Sequence, residues 1–208
     1  MKTIDAGQLI HRDGHKVTYE VKNGWDPETC AQCDALWGAY SVELLGHIAH
    51  LGLTGDKLTE VIGSMQLEDH GWSWAKKAEL MIEDGFEWFY LFAEGKPQGA
   101  CVIYHPKESV LRKANIFYVE FLVAAPWNRD CSIRKREIRG VGTALLRAAQ
   151  RYSVDQLKLS VGFSLLSLPQ AVGYYRKLKM IYIKEHDHKR LSYFELPEDV
   201  ATELMGVA

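Results

Sequence analysis

The residues with the clearest chemical pattern are Gly140-Val141-Gly142-Thr143 and the basic loop in front of them. Backbone N–H groups at the start of a helix have no acceptor inside the helix, and the helix dipole makes that end attractive to anions. Glycine allows the backbone to approach a phosphate without a Cβ clash. The pattern therefore predicts a phosphate or pyrophosphate site. The basic side chains near it are Arg129, Arg134, Lys135, Arg136 and Arg139.

Two common phosphate-binding motifs do not fit these residues. A dinucleotide-binding fold needs G-x-G-x-x-G directly after a strand, but the third glycine position is Leu145 and the preceding strand ends near Ala125. A P-loop needs a lysine before the hydroxyl residue, and Gly142-Thr143 lacks it.

A different family matches better. The segment EFLVAAPWNR at 120–129, followed by RGVGTALL at 139–146, resembles the E-x-L-x-V-x-P-x-x-R-G-x-G-x-G-x-x-L-L run of the GNAT superfamily of N-acetyltransferases. Downstream, AVGYYRKLKM at 171–180 is similar to the family's A-x-x-x-Y-x-K-L-G-F. The motif-bearing resemblance covers residues 116–182.

The resemblance implies a mixed α+β, GNAT-like acyl-CoA N-acyltransferase fold with a mostly antiparallel mixed sheet flanked by helices. It implies one domain over residues 1–208, with an acceptor-side helical half (1–85) and an acetyl-CoA-binding core (86–196). Acetyl-CoA would be the cosubstrate and a small-molecule or peptide amine the acceptor. No metal is expected for this reaction.

By position in the family motif, the backbone of Leu122, Val123 and Ala124 would bind pantetheine and the acetyl carbonyl. An N–H at Leu122 would stabilise the charge that the carbonyl oxygen gains. The pyrophosphate would bind the N–H groups of Arg139, Gly140, Val141, Gly142, Thr143 and Ala144.

Several residues depart from the family pattern. A loop at 130–138 is inserted, and Glu137 stands where the family has Gln or Arg. A carboxylate facing pyrophosphate is unfavourable, so we expect Arg129 or Arg136 to take that place. Leu168 stands where the family often has Asn, and Lys179-Met180 replace Gly-Phe.

Two residues are candidates for catalysis. Tyr175 aligns with the family tyrosine that protonates the departing CoA thiolate, and Tyr174 is the alternative if the register slips by one. Strand alternation predicts that Glu120 shares a face with Leu122 and Ala124, where it would accept the ammonium proton directly or through water. The alternative is that Glu120 only holds substrate or pairs with a loop arginine.

Other residues carry weaker signals. Cys30 and Cys33 have half of a zinc-site spacing, but they lie in an apolar helical pattern that predicts two buried thiols. His186 and His188 are expected to be solvated turn residues, and His47 and His50 to lie on a helix face. Trp72 and Trp74 either line the acceptor pocket or pack in the core. The neighbouring Glu68 and Asp69 would attract a cationic amine or form a solvated face.

The elements that position these residues follow from local patterns. Residues 8–22 predict a hairpin around Arg12-Asp13-Gly14, and Asp26-Pro27 predicts a helix start. That helix would bury Cys33, Trp37, Tyr40, Leu44, Leu45, Ile48 and Leu51. We expect strands at 86–93, 99–104, 116–125 and 157–163, and helices at 57–65, 73–83, 144–152 and 170–178. A final hairpin (180–184 with 191–196) and a helix at 198–205 complete the chain.

Composition limits the function classes. The chain has 208 residues and a net charge of −2, which does not favour nucleic-acid binding. No apolar run approaches the ~20 residues of a membrane span, and the first residues lack a secretory h-region, so we expect a cytoplasmic protein. The aromatic content permits a homodimer. Two rival functions remain, namely a non-catalytic acyl-CoA-binding module and a nucleotide-binding protein of another fold.

Overall fold

One large sheet dominates the computed structural model, which describes residues 1–66 and 71–206. Its strands in those ranges are β1 (Lys2–His11), β2 (Lys16–Asn23), β3 (Phe86–Ala93), β4 (Lys96–Glu108), β5 (Asn115–Ala124), β6 (Ile138–Arg139), β7 (Phe163–Ser167), β8 (Ile181–Tyr182) and β9 (Ser192–Glu195). The order across the sheet is β6-β1-β2-β3-β4-β5-β7-β9-β8. Among these described strands, only β5 and β7 pair in parallel. The predicted mixed, mostly antiparallel sheet is confirmed.

Helices cover both faces of the sheet. They are α1 (Pro27–His50), α2 (Gly55–Ser64), α3 (Trp74–Leu80), α4 (Val141–Asp155), α5 (Val172–Lys177) and α6 (Glu198–Met205). One hydrophobic core lies between the sheet and α4, α5 and α6, and a second lies between the sheet and α1 and α3. Within the described ranges no helix combines the length and apolar character that a bilayer crossing needs.

The start of α1 is fixed by its cap. The carboxylate of Asp26 accepts a hydrogen bond from the Thr29 N–H at 2.8 Å, and Pro27 follows in the first turn. Cys33, Trp37 and Ile48 are buried as expected. The expected burial of Leu45 and Leu51 is wrong, because both leucines are more than two-fifths exposed. Leu45 follows Leu44, which packs against the core, and one residue is a rotation of about 100° around the helix axis. The Leu45 side chain is therefore turned away from the packed face.

The strand expected at 157–163 is also displaced. The observed β7 begins only at Phe163, and residues 157–162 form a connection. Lys158 and Gly162 both have positive φ values, of 59° and 120°, which an extended strand does not accept. The apolar residues of this connection pack against the α4 core, which explains why their pattern resembled a strand.

Candidate functional site

A gap opens in the sheet between β5 and β7. These strands pair only from Phe117 to Val119 on β5 and from Phe163 to Leu165 on β7. Beyond that point β7 pairs only with β9, and the β7-facing edge of β5 has no strand partner among the described residues. An edge of this kind offers free backbone donors and acceptors to an extended ligand.

Alternation along β5 decides which backbone groups face the gap. The Ala125 N–H donates to the Gln98 carbonyl at 2.8 Å, so Val123, two residues earlier and opposite Ala100, also hydrogen-bonds to β4. The backbone groups of Leu122 and Ala124 therefore point into the gap. The expectation that all three residues offer free groups is wrong for Val123, because the ladder with β4 uses its N–H and carbonyl.

A bulge at Glu120 changes which side of the sheet the neighbouring β5 side chains face. Val102 pairs with Phe121 whereas Ile103 pairs with Val119, so Glu120 is an extra residue on β5. Leu122 and Ala124 pack toward the α4 core, whereas Phe121 packs toward the α1 and α3 core. Glu120 instead lies within electrostatic reach of Lys77 on α3. The predicted shared face of Glu120 with Leu122 and Ala124 is thus wrong, since the bulge breaks the period of two.

The surroundings of Glu120 tune its proton affinity. Partial burial raises the pKa of its carboxyl, and the Lys77 ammonium opposes that effect. The Lys77 ammonium itself lies 3.3 Å from the ring centre of Phe121 and 4.1 Å from that of Trp72. Sequence reasoning did not single out Lys77, because no motif connects α3 to β5.

Tyr118 is a second residue that the sequence did not reveal. Burial raises the pKa of its phenol to about 12, although a backbone hydrogen bond from Leu166 opposes this shift. Leu166 is the first β7 residue beyond the paired segment. Its hydrogen bond to the Tyr118 hydroxyl therefore lies at the point where the two strands separate. The charge of Glu120 also raises the pKa of Tyr118, and Tyr118 raises that of Tyr175. Tyr118 is therefore electrostatically coupled to both predicted catalytic residues.

The start of α4 lies beside the gap. Gly140 is the N-cap with φ +88°, and no side chain of the described residues caps the helix. The first-turn N–H groups of Val141, Gly142 and Thr143 thus lack helical acceptors. The predicted donor at Ala144 is wrong, because its N–H donates to the Gly140 carbonyl at 2.9 Å. A Cβ on Gly142 would lie 3.9 Å from Leu122 Cδ2, so the helix start and the free strand edge adjoin.

The basic loop is largely paired internally. Arg134 forms an ion pair with Glu137 at 2.7 Å, and Arg136 pairs with Asp130. The negative charge of Glu137 is therefore balanced by Arg134. Arg129 donates from Nε to the Ala124 carbonyl at 2.9 Å and from a guanidinium nitrogen to the Gln66 carbonyl at 3.1 Å.

Arg139 lies elsewhere, in β6, where it pairs with Ile10 of β1. It is an exposed residue directly before the α4 cap. Of the arginines expected near the pyrophosphate, Arg139 has the position that remains open to an anion at the helix start.

The side chains of Tyr174 and Tyr175 lie in different surroundings. The Tyr174 hydroxyl lies 3.1 Å from the Thr143 hydroxyl. Burial raises the pKa of Tyr174 to about 12, while this hydrogen bond opposes the rise. Tyr175 is buried against Tyr174 and Phe194, and burial raises its pKa strongly. Both phenols stay protonated near neutral pH.

A cavity of about 250 Å³ lies on the opposite, α1 side of β5. Trp72 and Trp74 line it and also belong to the aromatic core, so both expectations for these residues apply. Glu120 and Tyr175 do not line it. Glu68 and Asp69 lie outside the described residues. Other lining residues are Cys33, Asp34, Trp37, Ser41, Met65, Val123 and Arg129.

The structure also locates the remaining cysteine and histidine candidates. Cys30 and Cys33 are buried free thiols, and the Cys30 sulfur lies 3.1 Å from the Tyr90 hydroxyl. His47 and His50 are exposed on α1, and His186 and His188 are exposed in a turn.

No family model and no curated protein matches the sequence. Solved structures do match its fold. An uncharacterized protein from Bacillus halodurans has a TM-score of 0.54 and 10% identity, covering 99% of this chain and 96% of that one. The GNAT domain of PAT from S. lividans has a TM-score of 0.53 and 10% identity, covering 92% and 96%. Apo FdhC, a nucleotide-linked sugar GNAT, has a TM-score of 0.50 and 12% identity, covering 95% and 93%. The chain therefore has the GNAT fold.

Proposed function

We propose that this chain is an N-acetyltransferase that moves an acetyl group from acetyl-CoA to a primary amine of a small molecule or peptide. The observation that carries the proposal is the proximity of Gly142, at the uncapped start of α4, to the side chain of Leu122, whose backbone lies on the free β5 edge. A strand edge suits the amides of pantetheine, and a glycine-rich helix start suits a diphosphate.

The residues present fit this cosubstrate. Leu122 offers its N–H and carbonyl to pantetheine, and Ala124 offers its N–H, while Arg129 occupies the Ala124 carbonyl. Val141, Gly142 and Thr143 direct three N–H groups toward the diphosphate, and Arg139 adds positive charge. Acetyl-CoA supplies the thioester whose acetyl group is transferred.

The transfer assigns one task to each residue. Glu120 accepts a proton from the acceptor ammonium, and its raised pKa brings it closer to the pH at which a base is effective. The free amine then attacks the thioester carbon while the Leu122 N–H stabilises the charge on the carbonyl oxygen. The carbon–sulfur bond breaks, and Tyr175 donates its proton to the sulfur. The attacking nitrogen then releases one of its two remaining protons, which restores the Tyr175 phenol and leaves the neutral amide.

The burial of Tyr175 favours one alternative, a non-catalytic module that binds acyl-CoA without transferring the acyl group. Thiol release from acetyl-CoA with a panel of amines separates the two functions, since only a transferase releases thiol in an amine-dependent way. Calorimetric binding of CoA without release supports the module. Thermal stabilisation by ATP or NAD but not by CoA contradicts both.

A further inference from the structure

Two histidines and an aspartate meet at the tip of the β1–β2 hairpin. Asp13 Oδ1 lies 2.7 Å from His11 Nδ1 and 2.6 Å from His15 Nδ1. The two imidazole rings stack with their centres 4.6 Å apart. The turn itself holds them, because the His11 N–H donates to the His15 carbonyl and the Gly14 N–H to the His11 carbonyl, both at 2.9 Å.

We propose that His11, Asp13 and His15 bind a divalent transition-metal ion of the zinc class. Each residue offers one ligand atom, and these atoms lie within 4.8 Å of one another. Zinc binds imidazole nitrogen and carboxylate oxygen at about 2.0–2.2 Å, which places tetrahedral ligands about 3.3 Å apart. Water completes the coordination, since Asp13 and His15 are exposed.

The arrangement has an electrostatic reason to take a cation. Two imidazole nitrogens and one carboxylate oxygen converge, and the Asp13 N–H also donates to His11 Nδ1 at 3.5 Å, so that nitrogen can act as a lone-pair donor. Two protonated rings stacked face to face would repel each other. A bound cation takes the lone pairs of both Nδ1 atoms, and the ring protons then lie on Nε2, as in ordinary neutral imidazole ligands.

The position of the site suggests what the ion does. The Arg12 N–H donates to the Glu137 carbonyl at 2.7 Å, and His11 and Ile10 pair with Ile138 and Arg139 of β6. Arg139 directly precedes the Gly140 cap of α4. A metal ion at the hairpin tip would therefore stabilise the strand pairing that supports the helix start, and it has no part in the acyl transfer.

The chain supplies a matched control in the turn His186-Asp187-His188. It has the same three residue types, but Asp187 is engaged by the Tyr182 hydroxyl at 2.6 Å and by the Tyr193 N–H at 2.8 Å. His186 packs against the Tyr193 ring. Within the described ranges, the ligand atoms of this turn do not come together as those of His11, Asp13 and His15 do.

The test uses the full chain without an affinity tag and the metal alone. Calorimetry with Zn²⁺ and absorption spectroscopy with Co²⁺ should show one equivalent bound. His15→Gln and Asp13→Asn should each weaken binding about tenfold or more, because each removes one ligand. His188→Gln should leave the affinity unchanged. The proposal is overturned if the wild type binds no tighter than His15→Gln, or if His188→Gln loses as much affinity.

An amide-resolved readout covers the case in which a variant perturbs the hairpin. In the wild type, Zn²⁺ should shift the amide resonances of residues 11–15 and of Ile138, with smaller changes around residues 186–188. The largest shifts at 186–188 would contradict the assignment. Neither measurement depends on acetyltransferase activity, so this inference and the proposed function fail separately.

Discussion

The hydroxyl of Tyr174 lies 3.1 Å from the hydroxyl of Thr143, which joins α5 to the first turn of α4. The next residue, Tyr175, turns instead into the core beside Phe194. Two consecutive phenols thus serve different parts of the site. Tyr174 contacts the helix start that we propose binds phosphate, whereas the charge of Tyr118 acts on Tyr175.

Phenylalanine substitutions should separate these roles. Tyr175→Phe should lower kcat about a hundredfold with little change in the KM for acetyl-CoA, because it removes the proton donor. Tyr174→Phe should raise that KM a few-fold at nearly unchanged kcat. Steady-state kinetics on both variants measures the difference. The opposite assignment, with kcat lost only in Tyr174→Phe, would support a register shifted by one residue.

Glu120→Gln should lose activity and gain stability at neutral pH. Burial raises the pKa of Glu120, so the folded chain binds its proton more tightly than the unfolded chain does. Ionisation of Glu120 at neutral pH therefore destabilises the folded wild type relative to the unfolded chain. The uncharged side chain of glutamine does not have this cost. Calorimetry should give a higher Tm for the variant at about pH 7.5 and a smaller difference at about pH 4, where Glu120 is mostly protonated in both the folded and the unfolded state. A variant less stable than wild type at neutral pH would argue against this environment.

Lys77→Met should shift the pH dependence of the reaction. The Lys77 ammonium lowers the pKa of Glu120, so its loss should move the acidic limb of the kcat/KM profile to higher pH. Lys76→Met is the control, since Lys76 is an exposed neighbour on the same helix. Equal profiles for all three proteins would show that Glu120 does not set that limb.

Gly99→Ala should destabilise the fold near the gap. A Cβ at Gly99 would lie 2.7 Å from both the Val123 carbonyl and Val141 Cγ1, and neither backbone nor helix can withdraw freely. We expect a loss of about 2 kcal/mol in the free energy of unfolding, typical of overpacking.

Gly46→Ala is the control for this substitution. Gly46 lies exposed in α1 with nothing within 4 Å of the position of a Cβ atom. Alanine there should raise the free energy of unfolding by up to about 1 kcal/mol, because it favours the helix more than glycine does. Urea denaturation measures both changes. A tolerated Gly99→Ala would contradict the close packing of β4, β5 and α4.

Local signals in the sequence were sufficient for several elements. Asp26-Pro27 located the start of α1, and the Gly140-Gly142 pair located the start of α4, because caps and glycines act through neighbouring residues. The family motif also gave the fold and the strand that borders the gap. These features depend on short stretches of chain.

Features that depend on pairing between distant residues were missed. The bulge at Glu120 is set by the register of β5 against β4, so alternation alone assigned Glu120 to the wrong face. The same pairing decides that Val123 faces β4 and Leu122 faces the gap. The approach of Lys77 to Glu120 requires the packing of α3 on the sheet, which no local pattern encodes.

The claim that main-chain donors bind acetyl-CoA is tested most directly by an NMR titration of the ¹⁵N-labelled protein with that compound. We predict saturable shifts that are largest at the amides of Leu122, Ala124, Val141, Gly142 and Thr143, with Val123 and Ala144 changing less. No saturable change, or shifts concentrated away from the β5 edge and the start of α4, would contradict the account.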